Sequence, residues 1–166
     1  MEITRLGAER IPELEPVFLA LHEHHGEVSP TLGGREQRSP DEAWAFRRRR
    51  YETWLAEGGA LWGAERERAI VGYASVQLAS GYAGWRTGDR IGVVETLSVL
   101  PTERGRGIGS ALLDRVEREL ADLGVDYMLI GAVAGNEDAQ RLYERRANLE
   151  RVGVNFGGPV RAEPQK

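Results

Sequence analysis

The sequence predicts a mixed α/β domain in which helices cover both faces of one central sheet. Three observations carry that prediction. Apolar runs of strand length at residues 70–79, 91–99 and 127–133 alternate with segments whose apolar residues recur at helical spacing. Punctuation is explicit, with a proline-led helix start at residue 40 and glycines closing the segments at 58–59 and 124. The length, 166 residues, suits one domain with a sizeable core and is short for two.

Taken in order, residues 2–6 alternate and form a first strand. Ile11, Leu14, Phe18, Leu21 and His25 then follow a helical period, with Pro12 and Pro16 acceptable near its start. Residues 26–38 are a polar, glycine-bearing loop. Ser39-Pro40-Asp41-Glu42 opens a second helix: serine caps it, proline takes the first helical position and Glu42 completes a capping box. Trp44, Arg47, Arg48, Tyr51, Trp54 and Leu55 share a face of that helix. Residues 60–64 and 70–79 are two antiparallel strands joined by the charged turn 65–68. A loop over 81–88 carries Tyr82 and Trp85, and residues 91–99 form a longer strand stopped by Pro101. Ile108, Ala111, Leu112, Val116, Leu120 and Leu123 make an amphipathic helix ended at Gly124. The apolar run 127–133 predicts a strand buried on both faces. Residues 136–146 are a last helix and 149–156 a last strand, giving the order β-α-α-β-β-β-α-β-α-β. The polar segment 157–166 is a tail.

Composition excludes several classes of function. Without cysteine there are no disulfides, zinc–thiolate sites or thiol nucleophile. A net charge of -4 argues against a broad basic field for nucleic acid. No apolar stretch approaches the roughly 20 residues that span a bilayer, and the first residues do not read as a signal peptide. A cytoplasmic protein, without nucleic-acid or membrane partners, is the expectation.

The segment Arg104-Gly105-Arg106-Gly107-Ile108-Gly109-Ser110 joins a strand to a helix. The first amides of a helix have no internal partner and lie at the positive end of its dipole. Glycines let backbone approach a pyrophosphate closely, and successive amides form an anion nest. An ordinary glycine-rich turn has the same composition. A P-loop needs a lysine before Ser110, and none is there. The dinucleotide fingerprint needs an acidic residue at the C-terminal end of the next strand, whereas Asp126 precedes that strand.

The segment resembles the acetyl-CoA signature of the GNAT N-acetyltransferase superfamily, here Arg104-x-x-Gly107-x-Gly109. Val94-Glu95-Thr96-Leu97-Ser98-Val99 is similar to the family's fourth strand, and Ser110-Ala111-Leu112-Leu113 to the start of its third helix. Asn136-x-x-Ala139-x-x-Leu142-Tyr143 resembles the second signature. The resemblance covers residues 1–156 and implies one GNAT-type domain. It implies that acetyl-CoA lays its pantetheine arm along residues 97–99 (Leu97, Ser98, Val99), with main-chain groups of Leu97 and Val99 bonding its amides in the manner of strand addition. The pyrophosphate would sit on Gly105 to Ser110, and Asn136 and Ala139 would border the arm. The reaction implied is direct attack of a primary amine, of a small molecule or peptide, on the thioester in a ternary complex. No metal is implied. A non-catalytic acyl-CoA-binding module is the alternative.

Glu95 lies in an otherwise apolar strand, where an unpaired carboxylate is expensive to bury. It is either salt-bridged to an arginine or, as the resemblance implies, the general base that takes a proton from an alkylammonium. Tyr143 is either a half-buried aromatic or the acid that protonates the departing thiolate. Asn136 also fits a helix cap. The chain departs from the family at Ala147-Asn148-Leu149, where Gly-Phe is usual, and little sequence follows Phe156 for a seventh strand. Either a short edge or a partner subunit, as in a homodimer, would complete the sheet.

His22-Glu23-His24-His25 lacks the spacing of a zinc protease, because Gly26 stands where the second histidine belongs. The resemblance still places His24 or His25 near the acceptor. Residues 47–50, four arginines, spread around a helix and form no stripe. Tyr82 and Trp85 are expected at the acceptor pocket or at a dimer contact.

Overall fold

A computed structural model describes residues 1–160, and the expected tail at 157–166 therefore lies mostly outside the described residues. Strand β1 (Glu2–Leu6) leads through a 3-10 segment, Ala8–Leu14, into α1 (Glu15–Val28). A small hairpin, β2 (Thr31–Leu32) and β3 (Arg35–Glu36), stands where the sequence predicts only a loop. Then come α2 (Pro40–Ala56), β4 (Ala60–Arg66), β5 (Ala69–Ser80), β6 (Arg90–Val99), α3 (Ile108–Asp122), β7 (Met128–Ile130) and α4 (Glu137–Glu144). The five-stranded sheet has the order β1-β4-β5-β6-β7, antiparallel except for the parallel pair β6–β7. The mixed α/β architecture expected from the sequence is the one observed.

Local chemistry explains the elements. Ser39 and Glu42 form the capping box, with Ser39 N donating to Glu42 Oε2 at 3.1 Å and Glu42 N to Ser39 Oγ at 3.4 Å. The β4–β5 turn holds Glu67 and Arg68 at φ 52° and 68°, the two left-handed positions of a tight hairpin turn. The α3 stripe buries Ile108, Leu112, Leu113, Val116 and Leu120 against the sheet, in one core with Trp62, Ala74, Val76 and Val94. On the opposite face, α1 and α2 bury Val17, Phe18, Trp44, Tyr51 and Trp54 against Leu61 and Tyr73. The helix layers thus sit on both sides, as alternation along the strands requires.

Two expectations fail at the C-terminal end. Residues 149–156 form no strand and are mostly exposed, with Val152 57%, Val154 71% and Phe156 95% accessible. Their period-2 pattern finds no partner, because β7 is only three residues long and Gly131 follows it directly. Nor is β7 buried on both faces: Met128, Leu129 and Ile130 are half-buried. Met128 and Ile130 pack towards the α3 core, and β7 is the sheet's edge. Among the described residues no helix is long and apolar enough to cross a membrane.

Candidate active site

The site begins where β6 and β7 part. They pair only at Gly92–Met128, Val93–Leu129 and Val94–Ile130, so from residue 95 onwards β6 has an open edge on that side. Alternation decides which main-chain groups face the opening. Leu100 N donates to Val71 O of β5 at 2.9 Å, so Ser98 also directs its main-chain groups to β5, and Leu97 and Val99 direct theirs to the open edge. The Ser98 side chain is buried and donates to Val17 O at 3.2 Å, which turns it away from the opening.

The glycine segment lies at the end of this edge. Gly105 and Gly107 have φ 76° and 77°, and a Cβ added to either would meet nothing within 4 Å, so the space above both is open. Gly107 is the N-cap of α3 and supplies no side chain to close it; the first turn holds no acidic residue. The ladder starts with Ala111 N to Gly107 O at 3.0 Å, which leaves the amides of Ile108, Gly109 and Ser110 without helical acceptors. The contrast with α2 and α4 is direct, since Ser39 and Asn136 close those helices with their own side chains. Arg104 Nε donates to Val99 O at 3.2 Å, and Arg106 pairs with Glu103 at 3.2 Å, so both arginines brace the loop while remaining exposed. A neighbouring cleft of about 340 Å³ is lined by Ser110, Leu142, Arg145, Arg146, Ala147 and Asn148.

Glu95 owes its position to a bulge. Ser75 pairs with Thr96 and Val76 with Val94, so Glu95 is the extra residue in β6. Its carboxylate is half-buried and accepts from Gln77 Nε2. Among the described residues no cation lies within ion-pair distance of Glu95, so the arginine partner considered from sequence is not found there. The residue after it, Thr96, is buried and meets the Tyr51 hydroxyl at 2.9 Å.

Helix α4 docks on the start of α3 through Leu142, whose Cδ2 would lie 3.5 Å from a Cβ at Gly109. Asn136 is buried and accepts from Ala139 N at 3.2 Å, the capping geometry. Tyr143 packs against the α3-side core with Leu97, Val99 and Leu142. Burial alone lifts its phenol pKa to about 12. Glu95 therefore approaches the β6–β7 opening from the α1/α2 face, through Gln77, and Tyr143 from the α3 face.

Other candidates lie apart. His22 Nε2 is 3.1 Å from Arg38 O and His24 Nδ1 is 3.7 Å from Glu27, while burial, then His24, His22 and Arg47, depresses the His25 pKa. The last turn of α1 meets the loop after β7, where Val28 O lies against Gly135. Arg47 stacks over Tyr51 and Trp54, and Arg50 over Trp54. Tyr82 and Trp85 pack edge to face at 6.0 Å in the β5–β6 loop. That loop precedes Arg90, about 17 Å along the strand from Glu95, and so belongs to the far end of β6.

The bulge, Gln77 and the hydroxyls of Tyr51 and Tyr73 buried beside Thr96 are parts of the site that the sequence does not single out. The recurrence of Ser75, Gln77, Thr96 and Ser98 in otherwise apolar strands was the available signal.

Comparison with known proteins identifies the family and the fold. The family model described as the Acetyltransferase (GNAT) family matches residues 19–148. The L-amino acid N-acyltransferase MnaT of Escherichia coli is 30% identical over 101 residues, covering 57% of this chain and 55% of that protein. The L-methionine sulfoximine/L-methionine sulfone acetyltransferase of Salmonella typhimurium is 30% identical over 114 residues, covering 64% and 63%. The chain thus spans between about half and two thirds of these relatives' length. Among solved structures, a GCN5-related N-acetyltransferase from Ralstonia eutropha superposes with TM-score 0.74 at 22% identity, covering 96% of this chain and 97% of that one. The aminoglycoside enzyme AAC(6')-Iy, in complex with a CoA bisubstrate analogue, gives 0.69 at 18%, covering 96% and 97%. The two structures share the fold, and the family match spans most of the sequence: the chain belongs to the acetyltransferase (GNAT) family.

Proposed function

We propose that this protein transfers the acetyl group of acetyl-CoA to a primary amine of a small molecule or peptide, by direct attack in a ternary complex. One observation carries the reading: the main-chain edge that β7 leaves open at Leu97 and at the Val99 amide, whose carbonyl Arg104 engages, leads through the turn at 100–107 to the uncapped amides of α3. An extended amide-bearing arm ending in a pyrophosphate matches both features at once. Gly105, Arg106, Gly107, Ile108, Gly109 and Ser110 would hold the pyrophosphate, with Arg104 bracing the loop; Asn136 and Ala139 would set the α4 border of the arm.

In this reading Glu95 accepts the ammonium proton, directly or through water, and frees the lone pair. The amine nitrogen attacks the thioester carbonyl carbon, the C–S bond breaks as the tetrahedral intermediate collapses, and the sulfur leaves as thiolate, while the proton the new amide nitrogen sheds passes through solvent and neutralises the thiolate. Tyr143 is protonated throughout the neutral range and faces that sulfur as a hydrogen-bond donor. A phenol at about 12 hands its proton to a thiolate, whose thiol has an ordinary pKa of about 8.5, only uphill. Donation to the developing charge, with full transfer only where the thiolate is equally desolvated, is the role the burial supports.

Support for an enzyme over a bare acyl-CoA-binding module comes from both side chains, which binding alone does not need, and from the relatives, which are acyltransferases by name. Those names point to amino acids and their analogues, and AAC(6')-Iy to aminoglycosides, as amines to try first. With acetyl-CoA as donor, a cytoplasmic location goes with this proposal. A homodimer is proposed too, on the exposed alternation of Val152, Val154 and Phe156 and on a β7 that is the unpaired edge of the sheet; sedimentation equilibrium decides it. The activity is tested by thiol release from acetyl-CoA across a panel of amino acids, amino-acid sulfones, aminoglycosides and peptides. Amine-dependent release is expected, and acetyl-CoA binding with no release for any amine would leave only the module.

A further inference from the structure

Beneath the bulge lies a cluster of hydroxyls that neither the fold nor the proposed chemistry has used. The Tyr51 hydroxyl is 2.7 Å from that of Tyr73 and 2.9 Å from Thr96 Oγ1. All three residues are buried, at 0%, 0% and 4% exposure, and Ser75, the cross-strand partner of Thr96, is buried beside them at 1% with its hydroxyl making no hydrogen bond. Tyr51 comes from α2, Tyr73 and Ser75 from β5, and Thr96 from β6, so three elements are tied at one point. A helix packing on a sheet needs apolar side chains there, and valine would fill the space of Thr96. Burial raises the pKa of both phenols, which keeps them protonated and able to donate.

The location of this point is what gives it consequence. Thr96 is the residue at which register resumes after the bulge, and Glu95 is the bulged residue itself. A bulge disrupts the ladder locally and leaves the extra residue unpaired, so the contacts of the side chains beside it bear on where that residue points. Here the Thr96 side is held by Tyr51 and the Glu95 side by Gln77. We propose that Tyr51 is a positioning residue, which through Thr96 locks the bulge and so aims the Glu95 carboxylate at the opening between β6 and β7. The inference rests on Glu95 being the general base of the proposed reaction.

A double-mutant cycle between Tyr51→Phe and Glu95→Gln tests it, with steady-state kinetics on acetyl-CoA and the panel amine of highest turnover. Tyr51→Phe keeps the ring and removes the hydroxyl. Its expected effect is a fall in kcat of about tenfold, the scale of a small misplacement of a catalytic group, with the KM for acetyl-CoA unchanged. In the Glu95→Gln background the same substitution should change kcat less than twofold, because the group it aims is gone. Thr96→Val should reproduce the loss and Thr96→Ser restore the rate, while thermal unfolding confirms that each variant is folded at the assay temperature. An equal loss in both backgrounds would make the cluster merely structural and overturn the proposal. So would an unchanged kcat in Tyr51→Phe alongside a slow Glu95→Gln enzyme. An active Glu95→Gln enzyme would remove the base reading itself, and the inference with it.

Discussion

Replacing Gly107 by alanine adds one methyl group at the point where the cofactor's phosphates are proposed to rest. The residue has φ 77°, and the added Cβ would meet nothing within 4 Å, so no packing clash contributes. What remains is the left-handed backbone, which costs a residue with a Cβ about 1–2 kcal/mol. Alanine also stiffens the unfolded chain, offsetting roughly 0.4–1 kcal/mol, for a net loss of about 1 kcal/mol. For a chain of this size that lowers the unfolding midpoint by about 2–4 °C. The methyl group also stands in the open space above the loop, so acetyl-CoA affinity should fall about tenfold or more, equivalent to about 1.4 kcal/mol. Gly124→Ala is the matched control. Gly124 follows the far end of α3, has φ 69°, and its added Cβ would also meet nothing within 4 Å. There the same methyl group should lower the midpoint by a similar amount and leave acetyl-CoA affinity unchanged. Thermal unfolding without ligand and calorimetric titration with acetyl-CoA measure both quantities. Gly107→Ala with unaltered stability and unaltered affinity would refute the reasoning, as would equal losses of affinity in the two variants.

Glu95→Gln should lower kcat at neutral pH by about 10²–10⁴-fold, the usual worth of a general base, while acetyl-CoA affinity stays as it was; a rate within a few-fold of the parent would contradict that role. Tyr143→Phe should slow turnover about tenfold and spare acetyl-CoA affinity, and lost affinity with unchanged kcat would instead mark Tyr143 as a packing residue. The same substitution has a signature in alkali. Because burial raises the Tyr143 pKa from 10 to about 12, the unfolded chain releases that proton first. The stability involved is intact below pH 10 and is lost as pH rises towards 12. Tyr51 and Tyr73, both raised by burial, add to the loss, so the check is the difference: thermal unfolding of Tyr143→Phe should fall less steeply above pH 10 than the parent does.

The parts of the site that were legible in the sequence are those where one residue type answers one local demand. Gly105 and Gly107 occupy left-handed positions, and glycine in a strand-to-helix turn signals that directly. Glu95 stood out as a charge in an apolar run, and Asn136 as a cap candidate, and both sit in polar surroundings that explain their presence. The bulge was not legible, because it depends on register between residues near 75 and residues near 95. Helical spacing placed Tyr51 on one face of α2 with Trp44 and Trp54, but spacing shows a face and not what a hydroxyl meets on the far side of it. Residues 149–156 show the opposite limit. Val152, Val154 and Phe156 alternate as a strand should, yet a strand also needs a neighbour, and β7 ends at Ile130. The hairpin Thr31–Glu36 is two short pairs without an apolar face, too slight to register as a pattern.

The central claim is that the β6 edge and the α3 N-terminus together form an acetyl-CoA site, and thermal unfolding of the full chain with acetyl-CoA, and separately with CoA, tests it most directly. A ligand at 100 times its Kd stabilises by about 2.7 kcal/mol, which at 2–4 °C per kcal/mol is a rise of about 5–11 °C. Both ligands should produce such a rise at micromolar to sub-millimolar concentration, and Gly107→Ala should need about tenfold more of either. No shift with either ligand up to millimolar concentration would contradict the account.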